Sequence, residues 1–305
     1  QVINSATFLA IENPSTDVAR YRAGDLDMTS YALPPEQFAK LQKELPGEVF
    51  TTRTLATYSY ELNNKKAPFD NVNVRKALNL SLDRNVITDK VLGQGQTPTY
   101  VFTPTYIEEG QLIQQPAYSK EPMAQRNEEA IKLLEEAGYS KANPLKFSIL
   151  YNTNENHKKV AIAAASMWKA NTKGLIDVKL ENQEWKTYID SRRAGRYDAA
   201  RAGWNADYNQ ATTFGNYFLS NSSNNTAKYA NPEYDKAIAE SYVATDAEGR
   251  AKAYAKAEEI LAKDFGIVPI FNYVNPRLVK PYVKGYSGKD PQDHIYLRNL
   301  YIIKH

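Results

Sequence analysis

The order of apolar and polar residues along this chain alternates between two periods. Thr51–Asn63 is rich in Thr and Tyr and alternates with a period of two, which predicts a long strand. Asn73–Leu82 instead carries its apolar residues on one helical face, and this pattern runs on through Arg84–Leu92. Leu145–Tyr151 is a short apolar run of the kind that forms a buried strand. Helices and strands that alternate in this way indicate an α/β protein.

Further elements follow from the same periodicity and from capping signals. Ser15 or Thr16 is the candidate cap of the first helix, and Asn231 followed by Pro232 marks the start of a later one. Gly93–Thr105 is predicted to be a loop without local structure, and Val283–Ile303 a tail with short strands near its end. The other predicted strands are Val2–Leu9, Ile176–Leu180, Tyr197–Gly203 and Ile267–Val274. The other predicted helices are Asn13–Tyr21, Glu36–Leu45, Asn127–Ala137, His157–Ala170, Glu184–Arg193, Thr212–Leu219, Asn231–Ala244 and Asp246–Lys263.

One segment, Ala200–Phe214, does not fit a core strand or a solvated loop. It is too polar for the first and too aromatic for the second, with Trp204 and Tyr208 close to a charged pair. Arg201 and Asp207 carry opposite charges, so two interpretations stand at this point. They form a structural ion pair in a surface turn, or they hold the two ends of a zwitterionic ligand.

Composition describes an ordinary soluble globular protein of 305 residues with 42% hydrophobic residues. Lys and Arg number 38 against 35 Asp and Glu, and a net charge of +3 is too small to argue for nucleic-acid or membrane binding. No apolar run approaches the roughly 20 residues of a membrane helix. The chain has no cysteine, which excludes disulfides and thiolate chemistry. Its 22 tyrosines suit a surface that binds amphipathic ligands.

Motifs for catalysis are not found in the sequence. There is no nucleophile elbow, no zinc-protease motif and no phosphate loop, and the three histidines are scattered. His157 begins an apolar helix, where it is either a neighbour of the cap or part of an anion site at the helix N-terminus. Trp185 is interpreted as a core residue, with a ligand contact as the alternative. Glu61 is interpreted as a surface residue of the long strand. A hydrolase that uses Asp207 with Glu61 has no specific support.

Several motifs, taken in order, nevertheless resemble one family over essentially the whole chain. They are Arg20–Asp27, Val74–Leu78 with Leu82–Arg84, Asn127–Ala130, Gly203–Tyr208 and the ending Tyr301–His305. These segments resemble the extracytoplasmic peptide-binding proteins of ABC transporters, solute-binding protein family 5. Periplasmic oligopeptide binders match best, and murein-tripeptide binders come second.

The resemblance implies an α/β fold of the periplasmic-binding-protein-like type II class. One lobe with a mixed sheet flanked by helices would be accompanied by part of its partner lobe. Residues 1–55 would form a partial N-terminal lobe, 56–273 the C-terminal lobe, and 274–305 a tail that returns to the N-terminal lobe. Because family members are much longer, we expect this chain to be their C-terminal portion.

The implied function is that of the solute-binding component of a peptide ABC importer. Family members hold short, extended peptides between two lobes by the backbone and both termini, and deliver them to the membrane permease. We therefore expect a periplasmic protein that is not embedded in the membrane. We expect it to catalyse no reaction, to need no cofactor or metal, and to bind no nucleic acid.

The resemblance also implies individual ligand contacts. Asp207 matches the carboxylate that pairs with the peptide's ammonium group, whereas Arg201 and His157 match residues that meet its terminal carboxylate. Gly203 and Asn205 match positions that offer backbone hydrogen bonds, as in strand addition. The residues that match pocket-lining positions are the aromatic Trp185, Trp204 and Tyr273 and the acidic Glu61.

Two departures from the family pattern bear on function. Leu92 stands where the oligopeptide binders place a lysine, and it resembles the murein-peptide relatives instead, so a murein tripeptide receptor is the alternative function. A peptidase that uses Asp207 and Glu61 is the remote alternative. Ala56 and Asn205 stand where enterobacterial oligopeptide binders carry a cysteine pair. Both cysteines are absent together, as expected if they form one bridge, so the fold need not suffer.

Overall fold

The structure, a computed structural model, describes residues 3–11 and 13–304. This part of the chain divides into two units. The first unit comprises the described residues up to Thr54, together with 88–97 and those from Tyr273 onward. The second comprises residues 55–87 and 98–272. The assignment of these segments to the lobes of a longer protein stays a prediction.

The elements alternate between helix and strand along most of the chain. The helices are α1 (Pro14–Ala23), α2 (Pro35–Glu44), α3 (Val72–Leu80), α4 (Met123–Glu136), α5 (Glu155–Asn171), α6 (Trp185–Arg193), α7 (Thr212–Gly215), α8 (Pro232–Val243) and α9 (Ala247–Lys263). The strands are β1 (Val49–Leu62), β2 (Thr97–Pro98), β3 (Leu145–Asn152), β4 (Ile176–Gln183), β5 (Ala199–Asn205), β6 (Ile267–Leu278), β7 (Val283–Lys284) and β8 (Tyr301–Ile302). No helix in residues 3–11 and 13–304 has the length and apolar character needed to cross a membrane.

Side-chain caps define several helix starts. Asn231 caps α8 by accepting a hydrogen bond from the Glu233 N–H, and Pro232 occupies the first turn, so this predicted start is confirmed. The predicted cap of α1 is wrong, because Asn13 accepts the N–H groups of both Ser15 and Thr16. A cap needs extended backbone and an oxygen one turn before free donors, and Asn13 meets both conditions.

A six-stranded mixed sheet has the order β2-β6-β1-β5-β3-β4. β1 pairs with β5 in antiparallel fashion, with Ala56 opposite Asn205, whereas β3 is parallel to both β4 and β5. Helix α5 covers one face of the second unit's strands through Trp168, whose ring lies 5.9 Å from that of Tyr60. On the other face, Tyr188 of α6 belongs to a buried cluster with Leu150. The predicted mixed sheet flanked by helices is therefore confirmed.

Each unit has its own apolar core. In the first unit, helices α1 and α2 bury Tyr21 and Leu41 completely. In the second, α7, α8 and α9 enclose an aromatic cluster around Phe102, whose ring lies 4.8–5.2 Å from those of Phe214, Tyr217 and Phe218. Aromatic pairs at such distances add to the stabilisation that burial alone provides. This second cluster supports the segment that follows β5.

Four predicted elements differ from the structure. The strand Val2–Leu9 is wrong for the described residues 3–9, which are irregular, largely exposed and without a ladder partner among the described residues (Val2 lies outside them). The helix expected to run to Leu92 ends at Leu80, where the Ser81 hydroxyl bonds back to the Ala77 carbonyl oxygen, and the segment Val86–Leu92 is π-helical. Thr212–Leu219 divides into α7 and a 3₁₀ turn, and the supposedly unstructured Gly93–Thr105 contains β2.

Candidate functional site

The carboxyl ends of three parallel strands meet at one edge of the second unit. β3 ends at Asn152 and β4 at Gln183, and β5 ends at Asn205. In open α/β sheets, ligands bind outside the carboxyl ends of the strands. The segments that leave this edge carry His157 at the start of α5, Trp185 at the start of α6, and Gly203 to Asp207. Local strand order therefore gathers most of the residues that the sequence singled out.

The register of β1 and β5 decides which backbone groups face this edge. Ala206 donates its N–H to the Leu55 carbonyl oxygen at 2.8 Å, which makes Ala56 and Asn205 a non-hydrogen-bonded pair. Because such pairs alternate, the N–H and C=O groups of Gly203 and Asn205 point away from β1. β3 pairs with β5 at Ala199 and Ala200. Beyond those residues, the edge of β5 is geometrically suited to hydrogen-bond another extended chain.

The same alternation divides the candidate residues between two faces of the sheet. Arg201, Gly203 and Asn205 lie on the face that α5 covers, whereas Trp204 and Glu61 lie on the opposite face. Ring contacts agree with this division. His157 lies 5.6 Å from the Tyr58 ring on the first face, and Trp204 lies 4.9 Å from the Tyr217 ring on the second.

Arg201 and His157 form a cationic and aromatic cluster with Tyr58. The guanidinium carbon of Arg201 lies 5.3 Å from the Tyr58 ring centre, and its Nη1 reaches the Asn152 side-chain oxygen at 3.5 Å. Burial, together with the nearby charge of Arg201, lowers the pKa of His157 well below its usual 6.5. His157 is therefore a neutral hydrogen-bonding group at neutral pH, and Arg201 carries the positive charge of this cluster.

The helix N-terminus beside His157 is already capped. Asn154 accepts the N–H groups of Asn156 and His157 at 2.9 and 3.1 Å. An anion site there would use these same donors. The interpretation of His157 as a neighbour of the cap is therefore favoured over a site built on the helix N-terminus.

Asp207 follows β5 and is exposed, and Thr213 holds it in place. The Thr213 hydroxyl oxygen accepts the Asp207 N–H and the Trp204 indole N–H, both at 3.2 Å. The same hydroxyl donates to a carboxylate oxygen of Asp207 at 3.3 Å. One threonine thus orients both the acidic and the aromatic side chain. Arg201 and Asp207 contact different groups, at the two ends of the segment that the sequence singled out.

Family membership follows from comparison with known proteins. Residues 2–226 match the family model of bacterial extracellular solute-binding proteins, family 5 Middle. The chain belongs to this family.

The periplasmic oligopeptide-binding protein OppA of Haemophilus influenzae is 96% identical over 304 residues, which are 100% of this chain and 56% of that protein. The periplasmic murein peptide-binding protein MppA of Escherichia coli is 43% identical, again over 100% of this chain and 56% of its own length. Among solved structures, the complex of Haemophilus influenzae OppA with RPPGFSPFR matches with 95% identity and a TM-score of 0.94, covering 99% of this chain and 59% of that one. The chain spans a little over half the length of the curated relatives it matches.

Glu61 is a buried residue of this family 5 chain, so its interpretation as a surface residue is wrong. Its side chain is 1% exposed and forms an ion pair with Arg192 at 2.9 Å. Tyr217 and Thr226 both donate hydroxyl hydrogen bonds to it, the first at 2.6 Å. Carboxylate oxygens that accept from three buried partners hold them in one arrangement. Because Tyr217 also packs against Trp204, Glu61 supports the site from behind.

The remaining aromatic and apolar candidates occupy contrasting positions. Trp185 is 54% exposed, so its interpretation as core is wrong, and its ring lies 5.8 Å from that of Tyr188. A large exposed indole next to the carboxyl edge of the strands is available to a ligand. Leu92 is buried at 4% exposure, and Tyr273 is partly exposed. Both belong to the first unit, whereas the other eight candidates belong to the second.

Two residues that organise the site carried no signal in the sequence. Tyr188 donates its hydroxyl to the Arg201 carbonyl oxygen, and Thr213 binds both Asp207 and Trp204. Each contributes through an ordinary side chain on a short or partly buried helix, with no motif around it. Only the packing of α6 and α7 against β5 brings them to the site.

Acid sensitivity should follow from His157. A histidine whose folded pKa is lowered binds fewer protons than in the unfolded chain. The contribution of His157 to the free energy of unfolding is therefore complete above about pH 6.5. Below that value it is lost, and the free energy of unfolding falls by up to about 1.4 kcal/mol per pH unit. We expect His157→Gln to flatten the dependence of the free energy of unfolding between about pH 6.5 and pH 5. Urea unfolding followed by tryptophan fluorescence measures it, since Trp168, Trp185 and Trp204 all lie in the second unit.

His294→Gln, in the first unit, is the matched control and should retain the slope of the unchanged chain. An unchanged slope in His157→Gln would show that other groups govern the acid response.

A disulfide should form if cysteines are placed at Ala56 and Asn205. The Cα atoms of a non-hydrogen-bonded pair are about 4.5 Å apart, which lies within the disulfide range. We expect the Ala56→Cys/Asn205→Cys variant to oxidise in air and to gain about 2–4 kcal/mol in free energy of unfolding. Thiol titration and intact mass with and without reductant detect the bond.

Ala56→Cys/Gly203→Cys is the control, because these diagonal positions are about 7–8 Å apart on the same face. Equal oxidation of the two variants would contradict the register of β1 and β5.

Proposed function

We propose that this chain is part of the solute-binding component of a peptide ABC importer. The protein captures short peptides by their termini and backbone between two lobes in the periplasm and delivers them to a membrane permease. Two curated relatives, 96% and 54% identical to the chain, are described as periplasmic oligopeptide-binding proteins. The chain contributes the C-terminal lobe and part of its partner.

The observation that carries this proposal is the backbone of Gly203 and Asn205, which lies between Arg201 and Asp207 and faces away from β1. Gly203 and Asn205 direct backbone donors and acceptors away from β1 within a segment that has a cation before it and a carboxylate after it. The backbone and the two charged termini are the features that all unblocked peptides share. A site that binds only those features takes many sequences with similar affinity.

These charges also set the direction of the bound peptide. Its ammonium group pairs with Asp207, and its carboxylate lies toward Arg201 with His157 as a neutral hydrogen-bonding neighbour. The peptide then runs antiparallel to β5. Six residue steps along a strand span about 20 Å, which suits a short peptide in an extended conformation.

The aromatic candidates form the walls around peptide side chains. We assign this role to Trp185 and Trp204 of the second unit. Glu61 acts behind Trp204 through Tyr217 and does not contact the peptide. Water in roomy pockets would accommodate different side chains.

This protein performs no chemistry on the peptide. Its curated relatives are named as binding proteins. A peptidase would need Asp207 and Glu61 to share a substrate bond, but Glu61 is paired with Arg192 on the opposite face of the sheet from Arg201 and Gly203. An acid enclosed in this way has no route to act as a general base.

Calorimetric titration with tri-, tetra- and pentapeptides tests the main proposal. The protein for this experiment is the Haemophilus influenzae relative in which this chain replaces the matching 56% of the sequence. We refer to it as the joined protein. We expect saturable binding of at least one peptide length. No binding of any peptide would refute the proposal. The 305-residue chain alone should bind weakly or not at all, and submicromolar binding would contradict its role as part of a clasp.

A murein tripeptide receptor is the second candidate, favoured by Leu92 and by the 43% identity to MppA. The joined protein distinguishes the two candidates in a competition experiment. Preference for a diaminopimelate-containing tripeptide over trialanine would favour the murein receptor. Equal or weaker binding of the murein peptide would favour the general oligopeptide binder.

A further inference from the structure

The turn Pro104–Gly110 fastens the segment that carries Asp207. Glu108 accepts the Ala211 N–H through its carbonyl oxygen at 3.0 Å and donates its own N–H to the Asn209 side-chain oxygen at 3.2 Å. These two hydrogen bonds join the turn to the residues directly after Asp207. Thr213 fastens the same segment from its other side.

Glu109 is the charged centre of this attachment. Its side chain is 5% exposed, and its two carboxylate oxygens bind different elements. One oxygen accepts from Arg250 of α9 at 2.7 Å, and the other accepts from the Gln210 side chain at 2.9 Å. A buried carboxylate with both oxygens engaged fixes its partners in position more firmly than a neutral contact does. Gln210 lies three residues after Asp207.

The backbone of the turn is itself held in an uncommon conformation. Glu109 has a φ of 64°, in the left-handed region that residues with a side chain rarely adopt. Gly110 follows, and an added Cβ there would lie 2.7 Å from the Ile107 side chain, which is buried in the aromatic cluster. Only the surrounding contacts maintain such a conformation. The turn is therefore a rigid support anchored in the core.

We propose that Glu109 is a positioning residue for the Asp207 carboxylate. Together with Arg250 it sets the path of residues 207–211, so that the carboxylate meets the ammonium group of a bound peptide. This inference rests on the proposed function, because it assigns a purpose to Asp207 that peptide binding defines. It adds a residue that does not itself contact the ligand.

The test compares a tripeptide with its N-acetylated form in calorimetric titrations of the joined protein. Acetylation removes the ammonium charge and leaves the rest of the peptide intact. We expect Glu109→Gln to weaken binding of the free peptide by about 3- to 10-fold and to leave binding of the acetylated peptide unchanged. In an Asp207→Asn background, Glu109→Gln should have no further effect, because the two residues act as one unit. Gln210→Ala retains the ion pair and should shift binding in the same direction by a smaller factor.

Asp264→Asn is the matched control. Asp264 caps the other end of α9, about 25 Å along the helix from its start, and accepts from Tyr229 and Asn231 at 2.7 Å. Its loss should leave the preference for the free peptide unchanged. Equal weakening of both peptides by Glu109→Gln, or no weakening of either by Glu109→Gln and Gln210→Ala, would overturn the role of Glu109 while peptide binding stands. Absence of peptide binding by the unsubstituted joined protein would overturn the proposed function, and this inference with it.

Discussion

Asp207→Asn in the joined protein should weaken binding of a tripeptide with a free amino terminus by about 10- to 100-fold. A hydrogen bond to a charged group contributes about 1.5–3 kcal/mol, and each 1.4 kcal/mol is a factor of ten in affinity. The substitution preserves shape and the Thr213 contact but removes the charge. Calorimetric titration measures the change, and binding of the N-acetylated tripeptide should be nearly unaffected.

Asp235→Asn, in helix α8, provides a control for the loss of one negative charge. Asp235 lies in the first turn of α8 and accepts from the Ser220 N–H at 2.9 Å. We expect it to leave the affinity for both peptides unchanged. If Asp207→Asn weakened both peptides equally, the carboxylate would be a structural group, and recognition of the ammonium group would have to lie elsewhere.

Arg192→Met should lower the free energy of unfolding of the second unit by about 3–5 kcal/mol. The substitution leaves Glu61 buried with its negative charge uncompensated, which costs far more than the net contribution of an ion pair. Burial opposes the charge of Arg192, but the negative charge of Glu61 outweighs it and holds the pKa of Arg192 well above its usual value. Urea unfolding of the 305-residue chain, followed by tryptophan fluorescence, reports on this unit.

Two further variants separate the causes of this destabilisation. Glu61→Gln combined with Arg192→Met removes both charges and should recover part of the lost stability, which a double-mutant cycle quantifies. Glu181→Gln removes an acid whose ion pair with Lys179 is exposed and should cost less than about 1 kcal/mol. If Arg192→Met also lowered the free energy of unfolding by less than about 1 kcal/mol, water or a rearranged partner would have to compensate the charge of Glu61.

The stability experiment also bears on the site. Tyr217 contacts both Glu61 and Trp204, so a change in the buried network reaches a wall of the proposed peptide site. We placed Glu61 behind the site for this reason, although the resemblance to the family assigned it to a pocket. A buried group that accepts three hydrogen bonds from protein partners is better explained as support than as a ligand contact.

Much of the secondary structure could be predicted from periodicity and capping. The pattern in β1, the apolar run in β3 and the Asn-Pro start of α8 each reflect a local rule, and each appears in the structure. Prediction failed where a local pattern had no partner or had a competing one. Residues 3–9 are apolar enough for a strand but have no neighbouring strand among the described residues, and Ser81 interrupts a pattern that otherwise reads as one helix.

Sequence alone determined the type and order of most elements, the family, and the presence of charges at both ends of the segment from Arg201 to Asp207. The elements and the charges follow from local chemistry, since spacing and caps act within a few residues, whereas the family follows from the resemblance of the motifs. Tertiary structure alone decided what surrounds each of these residues. It buried Glu61 against Arg192, exposed Trp185, and brought Glu109 to the segment of Asp207. Such contacts join residues far apart in the chain, and no local pattern specifies which of them meet.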